Sequence, residues 1–166
     1  VTDMNVNRLN EPKGGMKLRT LLAARTHTSP DDWFLTFRAR EAMEIVFDEL
    51  RTSYGDGDVI LQPFTCSTVP ESVIAGGLRP LYCDISEEDL SIDPDALEKL
   101  LGGDTHRAVI LQHTYGIFDQ VSTDRVIELA HRAGALVIED CAHRAGRIAF
   151  DSDGRPAADI FSPRRA

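Results

Sequence analysis

The stretch Leu136–Gly146, LVIEDCAHRAG, begins as a short apolar run and then places Glu139 and Asp140 at its end, with small residues and His143 following. A continuous apolar run of this length, bounded by turn-forming residues, reads as a strand buried on both faces rather than as an alternating, half-solvated one. The question it raises is chemical. A strand that ends on a carboxylate, with an imidazole three residues later, puts two titratable groups at the mouth of a sheet.

Working outward from that stretch, the same unit recurs. STDRVIELAHRAG (122–134) reads as a helix, with Ser122 or Thr123 as its cap and Gly134 closing it. RAVILQH (107–113) reads as a strand, and DPDALEKLLGG (93–103) as a helix with Asp93 as N-cap, Pro94 as first helical residue and Gly102 as terminator. LRPLYCDI (78–85) is a strand, STVPESVIAGG (67–77) a helix ended by Gly76-Gly77, and GDGDVILQP (55–63) a turn and strand stopped by Pro63. In DDWFLTFRAREAMEIVFDEL (31–50), Phe37, Ala42, Ile45, Val46 and Leu50 share one side of a helix. Residues 1–31 read as a loosely organised polar lead-in, and residues 32–166 as the domain proper. Four strand–helix alternations with continuous apolar strands predict an α/β fold, a three-layer α/β/α sandwich around a mostly parallel sheet. Ligands in such sheets bind beyond the carboxyl ends of the strands, which here means Phe64–Thr68, His113–Gly116 and Asp140–His143.

Composition narrows the function. At 166 residues, 42% hydrophobic and 27% charged, the chain can bury a sizeable core. No run reaches the ~18 apolar residues of a membrane span, and no leader of the exported type opens the chain, so a cytoplasmic location is expected. Cys66, Cys83 and Cys141 form no C-x-x-C pair and read as reduced thiols. A net charge of −9, from 27 acidic and 18 basic residues, argues against nucleic acid as a partner. The glycine-rich dinucleotide and Walker signatures, the serine-hydrolase elbow and the zincin motif are all absent from the sequence.

In family order, AREAM (39–43), GDVILQPFTCST (57–68), GLRPLYCDISEEDLSIDPDALEKLL (77–101), LQHTYG (111–116), VIEDCAH followed by RAG (137–146) and IFS (160–162) resemble the DegT/DnrJ/StrS family of sugar aminotransferases, which are pyridoxal-phosphate (PLP) enzymes of fold type I. The resemblance implies that this chain is part of the large domain of such an enzyme, acting on nucleotide-linked keto-sugars with an amino-acid donor, glutamate by family habit, and working as a homodimer without nucleic acid or membrane. It implies a role for each matching residue. Asp140 faces the pyridine nitrogen and keeps it protonated, a carboxylate favouring that cation by ~1–3 pKa units. His143 stands beside the phenolic oxygen, Thr65 borders the ring, and Ser162 contacts the phosphate. Ala39-Arg40 occupy the phosphate loop, where alanine denies the positive φ that glycine allows and Arg40 supplies charge. Cys66 stands where the family stacks an aromatic ring on the pyridine, and packs there as a small soft hydrophobe. His113 and Tyr115 are structural in this reading.

One departure stands apart. The lysine that anchors the cofactor and moves the substrate proton is expected a few residues after Phe161-Ser162, and position 165 is Arg165. A guanidinium stays charged and offers no neutral amine. The three lysines are Lys13, Lys17 and Lys99. Since family members are considerably longer, the resemblance implies an amino-terminal portion, inactive alone, of marginal stability or prone to self-association. Two other function classes compete: a non-catalytic relative that binds PLP or a sugar nucleotide without turnover, and a metal-dependent hydrolase using Asp140, His143 and His113 as ligands.

Overall fold

The computed structural model describes residues 15–103 and 105–144. Ser162 and Arg165 therefore lie outside the described residues. In chain order the elements are α1 (Gly15–Thr26), a 3-10 turn (Pro30–Asp32), α2 (Ala39–Tyr54), β1 (Asp58–Leu61), α3 (Thr68–Ala75), β2 (Arg79–Tyr82), α4 (Pro94–Leu100), β3 (His106–Gln112), a 3-10 turn (Thr114–Gly116), α5 (Gln120–Arg132) and β4 (Leu136–Asp140).

The four strands are parallel and lie in the order β2-β1-β3-β4. From β1 the chain steps to one side, then crosses back over β1 to build β3 and β4. The side on which successive strands are added changes between β1 and β3, and their carboxyl ends flank the switch point where α/β sheets bind ligands. Side-chain alternation along each strand separates two cores. Val59, Leu61, Ala108, Ile110, Leu136 and Ile138 pack with Met43, Phe47, Leu50, Val69 and Val73 of α2 and α3. Ile60, Val109, Leu111 and Val137 pack with Leu97 of α4 and Val126, Leu129 and Ala130 of α5. The expected three layers are present.

Local chemistry explains most of the boundaries. Asp93 caps α4 by accepting the Asp95 N–H at 2.8 Å, with Pro94 at the first helical position. Gly76 packs against α2 so closely that a Cβ there would sit 2.3 Å from Phe47 Cβ, and Gly77 closes α3 at φ +77°. Gly134 closes α5 at φ +71°.

Three details differ from the sequence reading. The polar lead-in contains α1, whose Arg19 donates to the Pro30 carbonyl at 2.7 Å and pairs with Asp31. The buried side of α2 is Met43, Phe47 and Leu50, with Val46 at its edge, whereas Phe37 precedes the helix and is 83% exposed. The cap of α5 is Asp119, whose carboxylate accepts the Ser122 N–H at 2.7 Å, so Ser122 and Thr123 lie inside the first turn.

Candidate functional site

Each strand of the switch region ends on a polar residue, and the pleat decides which way it points. Gln112 follows Ala108 and Ile110 onto the α2/α3 face, and Asp140 follows Leu136 and Ile138 onto the same face. The two are register partners. Gln112 accepts a short hydrogen bond from the Thr65 hydroxyl and donates to Thr114 Oγ1 at 2.9 Å. Gln62, at the end of β1, donates to the carbonyls of Phe64 and Leu90 and to Thr114 Oγ1. The two glutamines tie the β1 and β3 ends together through one threonine.

The helix starts converge on the same place. Met43 and Phe47 of α2 pack with Val69 and Val73 of α3, and both helices run against the strand direction, so their amino ends lie at the carboxyl end of the sheet. Arg38 before α2 and Ser67 before α3 provide no side-chain cap; at α3 the Thr68, Val69 and Glu71 N–H groups bond Cys66 and Ser67, so among the described residues the open first-turn N–H groups are those of Ala39 and Arg40 at α2. Arg40 lies near enough to Cys66 to act on its charge. The Cys66 thiol is held below its ordinary value first by the Thr68 hydroxyl, at 3.2 Å, then by the Thr68 N–H, with Arg40 contributing. Among the described residues, positive φ outside glycine occurs only at His27, Leu90 and Tyr115. Ala39 therefore begins α2 in ordinary helical geometry, and the phosphate-side turn asks for no glycine there.

The loop after β4 completes the rim. Asp140 Oδ1 accepts the Ala142 N–H at 3.0 Å, and its other oxygen makes no hydrogen bond among the described residues. His143 Nδ1 accepts the Tyr115 N–H at 3.0 Å, and the two rings stack at 5.8 Å and 8°. An Nδ1 that accepts puts the neutral ring's proton on Nε2, so His143 presents an N–H donor. Phe64 meets Tyr115 edge-on at 6.1 Å. Tyr115 takes φ +55° and Gly116 φ +76°, and a Cβ on Gly116 would lie 3.0 Å from the His143 carbonyl.

Thr65, Cys66, Arg40, Ala39, Asp140 and His143 thus gather at one end of the sheet, with Thr65 and Asp140 both bonded to or paired with Gln112. The metal trio Asp140–His143–His113 does not form. His143 is engaged by Tyr115, and His113 points through the opposite face, where it bonds the Glu139 carboxylate. Gln62, Gln112 and Thr114 were not singled out from sequence; their signal was an amide closing an otherwise apolar strand.

The donor set fits PLP in part. The open start of α2 with Arg40 suits a phosphate, the free oxygen of Asp140 suits a protonated ring nitrogen, and the His143 N–H suits a phenolate. The pyridine face does not gain an aromatic neighbour at Cys66, which is exposed.

Comparison with known proteins identifies the family and the fold. The DegT/DnrJ/EryC1/StrS aminotransferase family model matches residues 37–157. The spore coat polysaccharide biosynthesis protein SpsC of Bacillus subtilis is 37% identical over 90 residues, 54% of this chain and 22% of that protein. A UDP-2-acetamido-2-deoxy-3-oxo-D-glucuronate aminotransferase of Pseudomonas aeruginosa is 32% identical over 107 residues, 64% of this chain and 28% of that protein. The chain thus spans about a quarter of the length of these relatives. In fold, the aminotransferase TlmJ from Streptoalloteichus hindustanus superposes with a TM-score of 0.73 at 20% identity, covering 92% of this chain and 40% of TlmJ. With the family model covering most of its length, from ahead of α2 to beyond β4, the chain belongs to the DegT/DnrJ/EryC1/StrS aminotransferase family.

Proposed function

We propose that these residues form the cofactor-holding wall of a PLP-dependent aminotransferase acting on nucleotide-linked keto-sugars, with an amino-acid donor of the glutamate type. The observation that carries the reading is the shared face. Asp140, the Thr65–Gln112 pair and the starts of α2 and α3 all open toward one side of the sheet end. Bound PLP supplies an electron sink, which works when its ring nitrogen is protonated. Asp140 would favour that protonated form, a preference of roughly 1.4 kcal/mol per pKa unit. The Ala142 N–H fixes one oxygen of Asp140 and leaves the other to aim. The His143 N–H steadies negative charge on the phenolic side, and Arg40 with the α2 amides holds the phosphate.

Amino transfer also requires a lysine. Lys99 lies in the last turn of α4, which runs against the strands, so it sits at their amino end, away from Asp140. Lys17 lies on α1, and Lys13 falls outside the described residues. This wall therefore binds and tunes, and the amine comes from elsewhere in the working enzyme. Ser162 belongs to the same reading as a phosphate contact, and the homodimer as the assembly that closes the site. The non-catalytic alternative shares the binding step and differs only in turnover.

Equilibrium dialysis of the purified chain against PLP tests the reading. One equivalent should bind, and Asp140→Asn should weaken it about 10–100-fold, the equivalent of one to two pKa units of lost preference. Equal affinity of the two proteins, at unchanged melting temperature, would defeat it.

A further inference from the structure

The opposite face of the same strand ends carries a second constellation. Alternation sends His113 beyond Leu111, and Glu139 and Cys141 beyond Val137, onto the α4/α5 side of the sheet. The ligand atoms of His113, Glu139 and Cys141 all lie within 4.8 Å of one another. His113 Nε2 bonds the Glu139 carboxylate directly, with the two side chains 1% and 8% exposed. The Phe118 ring closes on His113 edge-on at 5.2 Å, and Arg144 stacks over the far side of Phe118, 3.6 Å from its centroid.

We propose that His113 Nε2, the Glu139 carboxylate and Cys141 Sγ form a binding site for one divalent transition ion of the zinc class, its fourth position taken by water. Three observations support it. Imidazole, carboxylate and thiolate are the nitrogen, oxygen and sulfur ligands that zinc accepts, and three protein ligands with one open position is a recurrent zinc arrangement. Glu139 lies within β4, and His113 and Cys141 follow directly on the ends of the paired strands β3 and β4, with the His113 N–H bonded to the Asp140 carbonyl at 3.2 Å. The Glu139 carboxylate, 8% exposed, forms no ion pair with a lysine or arginine among the described residues; its ion-pair partner is His113, and Arg144, near enough to act on Cys141, stacks on Phe118. A carboxylate held away from water beside an imidazole and a thiol favours a cation.

Burial, then the Glu139 charge, pushes Cys141 up to about 12, so it is neutral and donates to Glu139. On coordination the Cys141 proton leaves to solvent, the His113 ring proton moves from Nε2 to Nδ1, and the metal replaces the hydrogen that His113 shared with Glu139. Zinc bonds of about 2.0–2.3 Å require the ligand atoms to stand roughly 3.5 Å apart, so His113 and Glu139 open slightly. Asp140 lies between two of these ligands along the chain, and its carboxylate points the other way. The site is independent of the PLP reading.

The test uses the untagged, cofactor-free chain. Dialysis against Zn²⁺ should give one equivalent, and Co²⁺ substitution should give the near-ultraviolet thiolate charge-transfer band. Cys141→Ser, an isosteric change at a partly exposed position, should abolish the band and weaken Zn²⁺ binding by more than the roughly 10–100-fold that even outer-sphere changes cost. Glu139→Gln should weaken it as well, while Asp140→Asn and His143→Asn should leave it unchanged. Absence of stoichiometric Zn²⁺ uptake by the unsubstituted chain would overturn the proposal. So would a cobalt–thiolate band that survives Cys141→Ser, since the ligand would then be Cys66 or Cys83.

Discussion

The two ends of this sheet handle polar residues in opposite ways. At the amino end, Asp58 binds both neighbouring strands at once. It takes the Arg79 guanidinium at 2.9 Å from β2 and the Thr105 hydroxyl at 3.0 Å ahead of β3, with His106 Nδ1 at 3.9 Å. Arg107 adds a bond to the Asp56 carbonyl at 2.8 Å. These groups fasten strand to strand. At the carboxyl end, Asp140 spends one oxygen on its own loop, His143 keeps a ring donor outward, and α2 begins uncapped. Polar groups that bind one another stabilise a fold. Polar groups left with spare capacity beside a left-handed Tyr115 are the ones proposed to receive a ligand, and strain collects at functional sites.

The sharpest way to break that contrast is to make one chemical change at both ends. Asp58→Asn should cost about 1–2 kcal/mol, through loss of a charge-assisted bond to an arginine that is 74% exposed and therefore partly screened. Denaturant melts report it. PLP affinity per folded molecule should stay constant. Asp140→Asn should do the reverse, and a shared pattern in both variants would erase the distinction between the two ends.

A glycine pair makes the same comparison at smaller amplitude. Gly55 and Gly116 have φ of +77° and +76°, yet a Cβ on Gly55 meets nothing within 4 Å, while one on Gly116 comes 3.0 Å from the His143 carbonyl. Alanine at either position should lose about 1–3 kcal/mol for the positive-φ backbone alone, Gly55 at ψ −173° standing in a region open essentially to glycine. Only Gly116→Ala should also move the His143 loop, seen as a change in the His143 ring NMR shifts and in PLP affinity. If Gly55→Ala shifts PLP affinity equally, the amino-end turn is coupled to the site and the separation fails.

Much of this organisation was legible in the residues. Apolar runs bounded by Gly, Pro and capping Asp located four strands and the helices between them, because local chemistry sets those boundaries: the Asp93-Pro94 start and the Gly134 stop behave as their side chains dictate. The Asp140–His143 rim followed from the rule that parallel strands present their ends to ligands. What stayed hidden depends on tertiary choice. An apolar stripe on a helix is over 100° wide, so Phe37 and Phe47 competed for the buried side of α2, and the sheet took Phe47. Ser122, Thr123 and Asp119 can all cap, and the Asp119 carboxylate won by reaching the Ser122 N–H. Strand order, and the way the pleat divides Asp140 from Glu139 and Gln112 from His113, is written in the crossover from β2 to β3. A linear reading of adjacent letters does not show that neighbours face opposite layers.

The three thiols probe the carboxyl end most finely, since Cys66, Cys83 and Cys141 follow β1, β2 and β4. Cys66 is exposed and lowered, chiefly by Thr68, so alkylation at near-neutral pH should label it first. Cys83 is buried, and desolvation followed by Asp93 raises it to about 11. Cys141 is raised to about 12. Because these two folded-state values lie above the ordinary 9.0, the unfolded chain releases protons that the native state retains once pH exceeds about 9. Their contribution to stability is complete below that pH and falls as pH climbs through 9 toward 11 and 12. Melts of the metal-free chain should therefore weaken on the alkaline side, and Cys141→Ser should flatten that limb without altering Cys66 labelling. Labelling of Cys141 ahead of Cys66 would mean that the α4/α5 face is open and that only one side of the sheet end is built to be closed.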